Sequence, residues 1–393
     1  MFKNPGSIKR IFFLLIVLHV LACIHTAIGQ SVPKKNISIF LGGDFYFGET
    51  YQEREETKGK KNILKAYGYD YSMNKIAPLL QRADMVIVNL ETPITDVSSS
   101  HFSGNQKYKI HKADINKTPA ALKKFNISAV SLANNHTMDY GAHGLAQTLK
   151  ILQENSIDYF GAGSDEKKAA VPLRMDFKPE TKAIRIIIAG GLDFSRKYDS
   201  IYHFYADSNV AGVNAWTNKK AVKQIKKIRS ADTAAFIIAY PHWFTNYKWK
   251  TNSEQELAHA LIDAGADMVV GHGSHMFQEI EKYKDKWIIY SLGNFVFNAP
   301  GRYQKKDIHP YSLAAMLEIN EQRSDLIMNL KLYPVLSDNH KTNYQPRFVT
   351  SKEMKTVYEL LKTHSVNVNK NDDYEIGKDE FGYFINLNIQ QRK

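Results

Sequence analysis

The chain has 393 residues, 52 Lys+Arg against 40 Asp+Glu and a formal net charge of +12. That length holds one large domain or two ordinary ones, and 44% hydrophobic with 23% charged residues excludes a mainly disordered or fibrous chain. One cysteine excludes an internal disulfide framework and any multi-cysteine zinc or iron–sulfur site, while 14 histidines direct attention to metal or acid–base chemistry.

The N-terminus reads as an export signal. Lys3, Lys9 and Arg10 precede an apolar run from Ile11 to Ala22. The run is shorter than the ~20 residues a membrane-spanning helix needs. Two exits are available. Ala27-Ile28-Gly29 is a small-residue cleavage site that starts the mature chain at Gln30, and Val20-Leu21-Ala22-Cys23 resembles a lipoprotein box with Cys23 as the lipidated residue. An uncleaved anchor is the third reading. Removing residues 1–29 leaves a charge of +9, because that segment holds three positive charges and no negative one. A basic exported protein suits a polyanionic polymer or an acidic membrane face, and no nucleic-acid-reading motif is present.

After a polar linker, short apolar runs alternate with amphipathic stretches. Strands are expected at Ile37–Leu41, Met85–Val88, Ser128–Leu132, Ala183–Ala189, Ala234–Ala239, Met268–Val270 and Trp287–Tyr290. Between them, helices are expected at Met73–Gln81, Pro119–Phe125 (capped by Thr118), Ala142–Glu154, Thr217–Arg229 and Ser253–Ala264, the last closed by Gly265. The charged stretch Tyr51–Lys61 reads as a loop or exposed helix. Tyr311–Ile319 and Leu326–Tyr333 alternate like antiparallel strands, Lys352–Lys362 looks helical, and the tail from Asn367 is polar and charged. Strands alternating with helices imply an α/β fold.

In such folds ligands bind where loops leave the carboxyl ends of the strands. Metal-capable residues recur at that place: Asp44 after the first strand, Glu91 in Asn89-Leu90-Glu91, Asn135 and His136 in Asn134-Asn135-His136, His242 before Trp243, and His272 and His275 in GHGSH. Carboxylate, amide oxygen and imidazole suit one or two divalent ions of the manganese, zinc or iron type, which activate water and polarise a phosphoryl or carbonyl oxygen. His136, if not a ligand, is placed to protonate a leaving group. Each residue alone also has a plain structural reading as a cap, turn or packing residue. His101, His111, His143, His203, His259 and His309 lack the strand-end context and read as surface or packing residues.

Six segments in order, GGDFYFGE (42–49), ADMVIVNLETPIT (83–95), SLANNHTMDYGAHGLAQTL (131–149), PHW (241–243), GHGSHMFQEIE (271–281) and YSLGNFVF (290–297), resemble the CapA-type capsule-synthesis proteins of poly-gamma-glutamate systems. The resemblance covers residues 37–299. It implies a calcineurin-like metallophosphatase β-sandwich flanked by helices over residues 36–299, with residues 300–393 as a C-terminal extension that completes or packs on the core. It also implies Asp44, Glu91, Asn135, His242, His272 and His275 as metal ligands. His136 would be catalytic, with Asp139 and Gly141 supporting its loop. Gln278, Glu281 and Asn294 would lie behind the ligands or face substrate. Two departures stand out. Tyr46 occupies the place of a usual ligand histidine, which bears on whether a second ion is held. Gly273 and Ser274 replace a usual His-Pro pair, a change expected to loosen that loop or alter substrate contacts.

The functional expectation is an exported, periplasmic or cell-surface hydrolase or transferase that acts with a divalent metal on an anionic envelope polymer such as poly-gamma-glutamate, beside membrane-embedded synthesis and export partners. The alternative is a non-catalytic accessory protein that holds the polyanion, for which the lysine-rich face of Thr217–Arg229 is a candidate surface.

Overall fold

The computed structural model describes residues 36–100, 102–103, 109–322, 325–368 and 373–389. The signal-like segment with Cys23, and His101, lie outside the described residues. Two large sheets form the frame. In the first, the strand order is Tyr374–Lys378, Tyr383–Ile389, Asp325–Leu336, Tyr311–Gln322, Asn36–Tyr46, Met85–Leu90, Ile127–Ser131 and Asp158–Phe160. Asn36–Tyr46 is the pivot, parallel to Met85–Leu90 and antiparallel to Tyr311–Gln322. In the second sheet, Phe236–His242 runs parallel to both Ile184–Asp193 and Met268–Val270.

Successive side chains of a strand point to opposite faces. In the second sheet both faces are buried. Ile186, Ile188 and Ile238 meet Ile39, Leu41 and Ile87 of the first sheet, while Ile187, Ala189 and Ile237 pack on Ile225, Ile228, Leu257 and Leu261 of two helices. The outer face of the first sheet, with Phe40, Val86 and Val88, is covered by Leu79, Leu80, Leu122, Leu145 and Leu152. The result is helix, sheet, sheet, helix, an α/β architecture in which near-continuous apolar runs are demanded of the central strands.

The expected strands are all present, several of them longer. The first runs on to Tyr46 because Gly43 lets it touch the loop before Asn294–Phe297. A Cβ on Gly43 would sit 1.8 Å from the Gly293 carbonyl oxygen, to which Asp44 N–H donates at 2.9 Å. The pairing of this strand with Met85–Leu90 slips between Leu41 and Asp44, a bulge that re-aims the Asp44 side chain.

Three expectations change. The single helix at Met73–Gln81 is two short helices, Asp70–Met73 and Ala77–Arg82. Pro78 has no N–H to continue the ladder, so it starts the second helix. Thr118 is not a cap. The helix is Lys117–Lys124, the Asp114 carboxylate accepts from Asn116 and Lys117 N–H, and Thr118 turns inward to donate to Glu49 at 2.6 Å. The polar tail contains two strands, with Ile385 and Leu387 alternating into the core between the sheets. Tyr51–Lys61 is half helical, within Glu49–Glu56. Among the described residues, no helix is long and apolar enough to cross a membrane.

Candidate metal centre and adjoining cleft

Strands of both sheets end on the same side, and their exits bring the strand-end residues together. Asp44 is fully buried. Its Oδ1 accepts from Asn89 Nδ2 at 2.9 Å and from Gly273 N–H at 3.1 Å, and Oδ2 lies 3.4 Å from His275 Nδ1. Asp44, Glu91 and His275 each offer a ligand atom, all within 4.8 Å of one another. Glu91 is 1% exposed, and its Oε2 has no hydrogen-bond partner among the described residues. Burial, then Asp44 and then Asp139, raise the Glu91 carboxyl well above its ordinary range. Two carboxylates so close, without a cation between them, resist joint ionisation.

His242 and His272 form the facing part, with ring centroids 5.1 Å apart. Asn89 Nδ2 reaches His242 Nδ1 at 3.3 Å, so the ring's Nε2–H donates to Asn135 Oδ1 at 2.7 Å. His272 differs. It is fully buried, and neither ring nitrogen has a partner among the described residues. Burial pulls its imidazolium down to about 3 and holds the ring neutral, the form that ligates metals. The buried, partnerless Glu91 Oε2, with Asp44 and His275 each offering a ligand atom within 4.8 Å, fits a divalent transition ion, and His272 beside His242 is a further neutral, partnerless imidazole.

A second group consists of His136, Asp139 and His111. His136 Nδ1 meets Asp139 Oδ2 at 2.8 Å, and the same oxygen accepts from His111 N–H at 2.6 Å. His111 Nδ1 meets the Glu91 carbonyl oxygen at 2.9 Å. One ligand atom of each also lies within 4.8 Å of the others, but both Nδ1 atoms and Asp139 Oδ2 are already engaged. The arrangement fixes the tautomer of His136 and leaves its Nε2 3.8 Å from Glu91 Oε1. Burial, then His275, takes the His136 imidazolium down to about 3, so in the ion-free protein the ring is neutral and not a ready acid. His111 is driven well below the ordinary range by burial and then by His136. The two rings are stacked at 3.6 Å, and Tyr46 covers the other face of His111 at 4.3 Å.

His111, read from the sequence as a surface or packing residue, is a buried packing residue whose ring lies against the candidate site. It follows no strand, and only the fold brings it to His136. Asn89 is the other omission. Its amide joins Asp44, His242 and Asn134, whose Nδ2 donates to Asn89 Oδ1 at 3.0 Å. Asn134 in turn accepts from the N–H groups of His136 and Thr137, both at 3.1 Å, and so shapes the loop that carries His136. The Gly273-Ser274 departure does not loosen its loop. Gly273 has φ 101°, a Cβ there would lie 2.4 Å from the Trp243 carbonyl oxygen, and its N–H is held by Asp44. Ser274 Oγ bonds Ser291 Oγ at 2.8 Å. Asn294 orients His275 through a 2.9 Å contact. Gln278 donates to the Lys248 carbonyl oxygen. Glu281 belongs to a separate buried network with His259 and Tyr290.

A cleft of about 340 Å³ opens beside these residues, with Asn135, His136 and His275 in its wall.

Residues 38–299 match the family model described as bacterial capsule synthesis protein PGA_cap. The chain belongs to this family. It is 29% identical over 313 residues to the capsule biosynthesis protein CapA of Bacillus anthracis, spanning 75% of this chain and 69% of that one. It is 30% identical over 304 residues to the PGA biosynthesis protein CapA of Bacillus subtilis (strain 168), spanning 74% and 73%. A probable polyglutamine synthesis accessory protein of Mycobacterium tuberculosis (strain ATCC 25618 / H37Rv) is 26% identical over 343 residues, spanning 76% and 84%. The PGA_cap match contains every strand-end residue named above.

Proposed function

We propose that this PGA_cap protein is an exported, metal-dependent hydrolase or transferase acting on a glutamyl envelope polymer, with a calcineurin-like β-sandwich as its frame. The observation that carries the reading is the group of Asp44, Glu91 and His275, whose ligand atoms lie within 4.8 Å of one another while the buried Glu91 Oε2 lacks a partner among the described residues; His272, beside His242, adds two buried, partnerless nitrogens. Asp44, Glu91, Asn135, His242, His272 and His275 are the residues that would hold one or two ions. A divalent ion bound there supplies Lewis acidity that polarises the scissile carbonyl or phosphoryl group. His136 moves a proton at Nε2, while Asp139 holds the proton on Nδ1. Asn134 fixes the loop, and the Tyr46–His111 stack fixes the ring plane.

The printed names of the relatives support a capsule or polyglutamyl polymer as substrate, in carboxylate or amide form. The N-terminal signal-like segment supports export, with release, a Cys23 lipid anchor or an uncleaved anchor as its outcomes. Pairing of Tyr311–Gln322 with Asn36–Tyr46 supports residues 300–393 as completing the 36–299 domain. Tyr46 favours the second reading, a polymer-holding accessory protein. It puts an aromatic ring, not a ligand, against His111.

The test is an assay of the purified chain, loaded in turn with manganese, zinc and iron, on γ-linked glutamate oligomers and on a generic phosphodiester. New chain ends, or release of the alcohol from the phosphodiester, that disappear on chelation and in His136→Gln support the enzyme. No turnover of either substrate with any ion supports the accessory reading.

A further inference from the structure

The cleft beside the candidate centre carries a charge pattern that the centre itself does not explain. Arg54, Lys109 and Arg302 line it, and no Asp or Glu does. They come from three separate stretches of chain: the Glu49–Glu56 helix, the segment before His111, and the turn before the Tyr303–Lys306 helix. None of the three has an ion-pair partner among the described residues. The contrast with their surroundings is sharp: Lys58, Lys60 and Lys65, in the same region as Arg54, are each paired with Glu55 or Glu56. Cations that converge on a concavity with no acidic side chain in its lining raise the local concentration of anions and hold them by charge-assisted hydrogen bonds. Arginine adds a planar fork that matches a carboxylate with two bonds.

We infer that Arg54, Lys109 and Arg302 form a carboxylate-reading subsite, which grips the pendant acid groups of a polymer on either side of the unit at the metal centre and so selects the carboxylate form over the amide form. This rests on the proposed function, since the subsite is defined relative to a reacting unit at that centre. The floor of the site is acidic, with Asp44 and Glu91, and by itself repels a polyanion. The rim supplies the opposite charge, so that the polymer is held by the rim and placed over the floor. The lysine-rich helix Asn218–Ala231 is the competing polyanion surface. It packs on the outer face of the second sheet, none of its residues lines the cleft, and Lys220 is paired with Glu166.

The experiment is calorimetric titration of the full chain with a short γ-linked glutamate oligomer and with the same oligomer in amide form, at low and at physiological salt. The wild type is compared with Arg54→Gln/Arg302→Gln, with the charge reversal Arg302→Glu, and with Lys223→Gln/Lys226→Gln on the helix. Folding is checked by thermal melting, and metal content and turnover are measured on the same samples. The expected result is that the wild type binds the carboxylate oligomer about tenfold or more tightly than the amide, or about 1.4 kcal/mol. That preference is lost in both arginine variants, kept in the helix variant, and reduced by salt. Equal binding of the two oligomers by the wild type overturns the inference. So does an unchanged preference in folded Arg54→Gln/Arg302→Gln, or an equal loss in the helix variant. Absent metal and turnover, with the rim-dependent preference intact, contradicts the enzyme reading and leaves the subsite supported as a polymer grip.

Discussion

The two imidazole groups that face each other across this site are prepared differently. On the side of the first sheet, His136 and His111 have their Nδ1 atoms engaged by Asp139 and the Glu91 carbonyl oxygen, and their rings are stacked. On the side of the second sheet, His272 is equally buried yet has no partner for either nitrogen among the described residues. A buried polar group without a partner costs free energy of about 1–3 kcal/mol. That cost persists at His272, which sits beside Tyr240 and His242, and the engaged Nδ1 atoms of the His136 group avoid it. The comparison teaches that one group is built to hold a proton in a set place, and the other to accept a positive charge from outside the chain.

The strongest way to break this contrast is to alter the acidic floor. Asp44→Asn is expected to lower metal occupancy and any metal-dependent turnover by at least about 100-fold, since it removes the charge that joins His275, Asn89 and Gly273. Metal analysis of the purified variant reads this, and full occupancy would remove Asp44 from the ligand set. His136→Gln is expected to keep the metal and lose about 10²–10⁴-fold in turnover. Loss of metal in His136→Gln would place that ring among the ligands and erase the distinction between the groups. Asp139→Asn is expected to fall in between, with metal retained, because it disturbs only the tautomer and tilt of His136.

Gly273→Ala probes the link between the two sides. A side chain at φ 101° and 2.4 Å from a carbonyl oxygen is expected to lower stability by about 1–3 kcal/mol, read as a drop in Tm. An unchanged Tm would mean that the loop has more freedom than its bonds to Asp44 and Ser291 imply.

The smallest effect concerns His309, which also has a buried Nε2 without a partner among the described residues. Its ring packs against Phe277 at 4.2 Å and Trp249 at 5.2 Å, and it belongs to no candidate metal group among the described residues. Burial, then His364, takes it down to about 3, below the ordinary value near 6.5. The unfolded chain therefore binds a proton that the folded chain refuses as pH falls from about 6.5 towards 3, and stability declines over that window. His309→Phe is expected to make the decline shallower in a series of melts between pH 7 and pH 4. A parallel decline would show that His309 is protonated in the fold at little cost.

Much of this was legible in the sequence because buried strands must be apolar on both faces, and the polar residue that ends such a run is conspicuous. That rule marks Asp44, Glu91, His136, His242 and His272 as strand-end candidates. Asn89 is not marked, because it lies within its strand and takes its place only when the neighbouring strands add Asp44 and Asn134. His111 was missed because it sits on an irregular segment, where no periodicity marks it and only the stack with His136 reveals it. The C-terminal strands are hard to read because Asn386 and Asn388 alternate with the buried Ile385 and Leu387, and Glu375 and Lys378 break the other strand's pattern. The cations of the cleft are invisible in a chain with 52 Lys+Arg until the fold shows which of them line it and have no ion-pair partner among the described residues.

The most direct test of the central claim is an anomalous diffraction map from crystals of the chain grown with manganese or zinc. The account predicts a peak within ligand distance of Asp44, Glu91 and His275, with His272 turned to it, and no such peak for Asp44→Asn. A wild-type map with no peak there, or with peaks confined to surface histidines, would contradict it.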